Sequence, residues 1–69
     1  MTSYVVQPYN KSIIQDIFIN ARIVDVEVGD DCLLLVVEKD EKLKQIRIEV
    51  DETRDPRHEA VLFISSEDI

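Results

Sequence analysis

Apolar and polar residues follow one another along this chain in two rhythms, and the changes of rhythm mark its elements. The opening stretch SYVVQPYNKS holds a short strand at Ser3–Gln7, which Pro8 ends because proline cannot donate to a ladder. In SIIQDIFINA the period lengthens. Ile13, Ile14, Ile17, Phe18 and Ala21 fall on one side of a helical wheel and Gln15, Asp16 and Asn20 on the other. Ser12 followed by Gln15 has the outline of a capping box. This spacing predicts a short helix over about residues 12–19. Strand alternation through Ile17, Ile19, Ala21 and Ile23 competes with it, since β-branched side chains are stiff in a helix.

From Ala21 the period is two. Val24, Val26 and Val28 share one face and Asp25 and Glu27 the other. Carried back to Ile19, the apolar phase flips between Ile23 and Val24, as a β-bulge would make it do. Gly29-Asp30-Asp31 then reads as a hairpin turn, with glycine supplying the positive φ. Six apolar residues follow without a break, Cys32 to Val37. Such continuity predicts a strand in the middle of a sheet, covered on both faces. Lys39-Asp40-Glu41-Lys42 is the next turn. Ile46, Ile48 and Val50 then point inward, against Gln45, Arg47 and Glu49 outward. Asp51–Glu59, with Pro56, is a polar loop. Ala60–Ile64 is a second apolar strand, and SSEDI closes the chain.

The fold expected is therefore α+β: one small domain over residues 1–69, an antiparallel β-meander of four to five strands with one short N-terminal helix. A small SH3-like or OB-like β-barrel is the alternative. One helix covers one face of such a sheet. The other face must be closed by curvature or by another protein, so a homo-oligomer or a hetero-complex is expected. A domain of 69 residues buries only about 60% of the surface of its unfolded chain, and small cores commonly lean on partners.

Charge narrows the partners. The net charge is −7, and residues 25–69 hold fourteen of the fifteen acids against six of the eight bases. That balance argues against direct contact with a nucleic-acid backbone or an anionic membrane. It favours a basic protein partner, a divalent cation, or plain solubility. The longest apolar run is far short of the ~20 residues that cross a bilayer. With one cysteine there is no internal disulfide, and no apolar signal stretch follows Met1, so a cytoplasmic location is expected. Cys32 reads as a small buried hydrophobe, since no basic residue or histidine flanks it.

Catalytic chemistry finds little footing. There is no glycine-rich phosphate loop, no nucleophile elbow and no Cys/His metal spacing. His58, the one histidine, sits between Arg57 and Glu59 and reads as a loop residue. The acids of GDD and EKDE cap opposite ends of one strand, some 20 Å apart for a strand of this length, which is too far to share an ion. Asp51, Glu52 and Asp55 could join Asp30 and Asp31 as oxygen ligands, although solvated turns explain all five. No enzyme activity, cofactor or metal site is expected. The residues expected to bind protein are Arg22, Asp25, Glu27, Gln45, Arg47 and Glu49, the outward positions of two strands. Cross-strand charge pairing is the plainer explanation for them.

The segments ARIVDVEVGDD and QIRIEVDE, about a third of the chain, resemble the first three strands of the staphylococcal-nuclease kind of OB-fold. The resemblance implies a barrel and sets Asp30, Arg47 and Asp51 at that family's positions. Val28 stands where the family has an acid and Asp31 where it has threonine, and the rest of the catalytic set has no counterpart. Three functions follow as expectations. The first is a non-enzymatic acidic adaptor or regulatory subunit docking through an apolar sheet face. The others are a phage or mobile-element inhibitor acting as a nucleic-acid mimic, and a degenerate nuclease-like or cation-binding OB domain.

Overall fold

The computed structural model describes residues 2–51 and 61–69. Along the chain come β1 (Thr2–Val5), a 3-10 turn (Pro8–Asn10), α1 (Lys11–Phe18), β2 (Arg22–Gly29), β3 (Cys32–Lys39), β4 (Lys42–Asp51) and β5 (Val61–Asp68). The five strands form one antiparallel sheet in the order β1-β5-β4-β3-β2, with one short helix. This is the α+β meander that the alternation predicts. The barrel alternative fails: β1 and β2 lie at opposite edges and do not pair, so the sheet is open. The fold implied by the OB resemblance fails with it.

The helix forms where the longer period predicts it, but not by the expected cap. Ser12 lies inside α1, and the N-cap is Asn10. Asn10 does not cap with its side chain. Its Nδ2 donates instead to the Val5 carbonyl at 2.8 Å, tying the helix start to the end of β1. Asn20, at φ 64°, turns the chain out of the helix in the left-handed conformation that asparagine tolerates. Lys39 Nζ donates to the Asp16 carbonyl and lies 3.6 Å from the Asp16 carboxylate, which fastens the last turn of α1 over the end of β3.

Ile14, Ile17, Phe18 and Ala21 pack on Leu35, Val37, Ile46 and Ile64, with Tyr4, Leu33 and Ile48 around them. Ile46 and Val37 are sealed from solvent. Ile13, placed by the wheel with the apolar side, is exposed at the margin instead.

The apolar phase flip is a β-bulge. Ile23 pairs with Val37 and Asp25 with Val36, which leaves Val24 as the extra residue. The middle of the sheet, however, is β4, not β3. The pairing of β5 on the far side of β4 leaves β3 second from an edge. Cover on both faces of Cys32–Val37 is not realised either: Leu35 and Val37 are buried under α1, whereas Leu34 and Val36 on the other face are half-buried. β5 runs on past Ile64 to Asp68, because Ser65 and Ser66 lie between β4 and β1 and take ladder bonds on both sides. Ser65 is buried there, with its Oγ 3.0 Å from Ser3 Oγ.

Both hairpins turn through two residues. Gly29 pairs with Cys32 inside the ladder and is not at positive φ; Asp31, at φ 55°, takes that role. In the second turn Asp40 and Glu41 are both at positive φ, 53° and 65°. That is the sign pattern of a type I′ turn, which prefers Asn-Gly. A left-handed conformation costs an L-residue about 1–2 kcal/mol, partly offset in a glycine by its greater freedom when unfolded. Glu41→Gly is therefore expected to stabilise the protein by about 0.5–1 kcal/mol. Thermal melts would show it as a rise of about 4 °C.

Candidate docking surface

The register sorts every strand residue onto one of two faces. Facing away from α1 are rows that run across the sheet: Arg22–Glu38–Leu43, Asp25–Val36–Gln45–Glu67, Glu27–Leu34–Arg47–Ser65 and Gly29–Cys32–Glu49–Phe63. All six residues expected to bind protein therefore share this face. They form two polar columns, one on β2 and one on β4. The column between them belongs to β3 and holds half-buried Cys32, Leu34, Val36 and Glu38, none of which is among the six. Arg22 finds its partner in that column, with its guanidinium 3.0 Å from Glu38 Oε1. Both side chains are well exposed, so the pair contributes no more than a few tenths of a kcal/mol. Gln45, Arg47, Ser65 and Glu67 line a shallow open dimple. Phe63 is buried on this face.

The face under α1 has a different character. An eight-residue helix is about 12 Å long and about 10 Å wide. Five strands span about 19 Å, and the eight-residue strands β2, β3 and β5 are each about 26 Å long. The helix thus covers only part of its own face. Ile23, Val26 and Val28 of β2 share the face of Val37, Leu35 and Leu33 by register, yet lie beyond the reach of α1. They are 58%, 48% and 82% exposed. Beside them the bulge residue Val24 and the helix-flanking Ile13 and Ile19 are also exposed. The apolar surplus anticipated for the face opposite the helix therefore lies on the helix side, along one edge. A smaller exposed set gathers at Leu62, which pairs with Val50 and accepts from Val6 N–H at 2.8 Å.

That edge is also an open backbone. All eight residues of β2 are exposed, and among the described residues only β3 pairs with them. Ladder alternation outward from the Gly29–Cys32 pair turns the peptide groups of Val26 and Val28 away from β3. In agreement, Val26 N–H donates to the Oδ1 of Asp25 at 2.9 Å. The opposite edge, β1, is only four residues long.

Of the positions set by the nuclease resemblance, Asp51 is the last residue of β4. Asp30 sits in the first turn, while Arg47 is on β4, two register positions beyond the Gly29–Cys32 pair that closes that turn. Asp30 and Asp31 cap one end of β3 and Asp40 and Glu41 the other. No three metal-ligating side chains gather among the described residues. His58, Glu52 and Asp55 lie outside the described residues. No described helix is long and apolar enough to cross a membrane. No family model matches the chain, and neither does any curated protein or solved structure at a significant level.

Proposed function

We propose that this chain is a non-enzymatic protein-binding module, an adaptor or regulatory subunit that docks through the apolar sheet surface its own helix leaves bare. The carrying observation is the exposed row Ile23, Val26 and Val28, continuous with a packed core and bordered by an unpaired strand edge. Apolar surface of this kind gains about 25 cal/mol for each Å² removed from water. The acids around it suit a partner with a basic surface, and a net charge of −7 keeps the free chain dispersed. The columns on the opposite face make that face the second place to look, with Arg47 as its anchor.

The test is affinity capture from extract of the source cells. Wild type is compared with Val26→Lys plus Val28→Lys and with Gln45→Ala plus Arg47→Ala. A protein retained by wild type and by the second variant, and lost from the first, supports docking at β2. Loss from the second variant alone moves the docking site to the opposite face. Equal retention by all three overturns the proposal.

A further inference from the structure

We infer that β2 receives an extended strand from its partner, one in which lysine or arginine alternates with aliphatic residues, so that the partner adds a sixth strand to the sheet. The inference rests on the docking reading above and specifies how the contact is made and what makes it.

Three features of one edge point the same way. The outward peptide groups of Val26 and Val28 are a template for ladder bonds. On the α1 side, Ile23, Val26 and Val28 offer apolar contact to every second residue of an added strand. On the other side, Asp25 and Glu27 present carboxylates at the same spacing, and neither has an ion pair with a described residue. Arg22, the one base of β2, is already engaged by Glu38. A strand that satisfies all three must be aliphatic on one face and basic on the other.

The same pattern disfavours a second copy of this chain. In a two-fold antiparallel pairing, residues that meet share a sheet face. With the axis at Val26, Asp25 of one copy meets Glu27 of the other. With the axis at Asp25 or at Glu27, each acid meets itself. These registers overlap most of the strand, and all of them stack like charges, which is destabilising. Asp25 adds a guard, because its carboxylate occupies the Val26 N–H that an incoming carbonyl needs. A basic side chain on the incoming strand draws that carboxylate away and frees the N–H; an acidic one does not.

The probe is a seven-residue capped peptide alternating lysine with valine, compared with its glutamate–valine counterpart. Binding is followed by fluorescence anisotropy and by hydrogen exchange of the β2 amides. The lysine peptide is expected to bind at least tenfold more tightly than the glutamate peptide and to weaken severalfold as salt rises from low to physiological. The amides of Val26 and Val28 become protected. Asp25→Lys with Glu27→Lys reverses the preference, and Val26→Pro abolishes binding. Lysine-peptide binding without protection of Val26 and Val28 overturns strand addition but leaves docking by the apolar row standing. Protection that grows with protein concentration in the absence of peptide overturns it in favour of a second copy. If neither peptide binds, the inference falls; if Val26→Lys plus Val28→Lys also loses no captured protein, the docking reading falls with it.

Discussion

Replacing Ile46 with alanine is expected to cost 2–5 kcal/mol, about what is lost when a large aliphatic side chain is truncated in a sealed core. The position is the most completely enclosed in the described chain. Ile46 lies on the central strand, directly under α1, with Leu35 beside it on β3 and none of its surface open to water. A chain of 69 residues has roughly 3–10 kcal/mol of total stability at typical values per residue. The variant thus loses a large share of what holds it folded. Thermal melts followed by circular dichroism should fall by at least about 10 °C. Val28→Ala supplies the contrast. It removes a similar aliphatic side chain that is already 82% exposed, and it should change stability by less than about 0.5 kcal/mol. If the two substitutions destabilise alike, the division between a covered centre and a bare edge is wrong.

That division was only half legible in the sequence. A period of two reports which face a residue is on. It does not report whether anything lies over that face. Ile23, Val26 and Val28 have the alternation of core positions, and they do share the core face; they are bare because α1 is two turns long and β2 is an edge. Strand order was hidden for a related reason. The hairpin turns order β2, β3 and β4, but nothing local says that β5 returns to the free side of β4 and that β1 then adds to β5. The continuous run Cys32–Val37 therefore looked central when it is only next to the edge. The helix, the bulge at Val24 and both turns were readable, because each rests on residues close together in the chain. The glycine of the first turn misled by position: Gly29 is the last residue of β2, and Asp31 takes the left-handed φ.

The candidate site shows the same split. Alternation with the bulge groups Arg22, Asp25 and Glu27 on one side of β2 and Gln45, Arg47 and Glu49 on one side of β4, and the register puts the two sets on the same face. What alternation could not supply was the β3 column between them, including Glu38, which takes up the charge of Arg22. Nor could it show that Asp25 serves the backbone of its own strand. The acids of β2 and its bulge are devices by which natural sheets keep a long edge from pairing at random. Here they flank an edge whose other face is aliphatic, a combination that would make β2 selective in the strand proposed to join it.

A pair of proline substitutions separates edge from centre more sharply than any side-chain change. Proline lacks the N–H, so its cost depends on whether that N–H was in a ladder. Arg47 has an exposed side chain, and little packing goes with it. Its strand, β4, is bonded on both sides, to β3 and to β5. Arg47→Pro is therefore expected to remove about 3 kcal/mol or more, enough to leave this small domain largely unfolded. The N–H of Val26 faces outward and serves only Asp25, so Val26→Pro should cost about 1 kcal/mol or less. The protein should keep its circular dichroism spectrum and melt within a few degrees of wild type. That second variant is the more valuable of the two, since it keeps Val28, Asp25 and Glu27 in place, exchanges one apolar side chain of the row for another apolar one, and takes away one outward donor. Loss of partner binding in a folded Val26→Pro, with binding kept by Val26→Ala, would then report on the backbone edge itself. Unfolding of Val26→Pro as complete as that of Arg47→Pro would mean that β2 is paired on both sides, and the docking surface would have to be sought elsewhere.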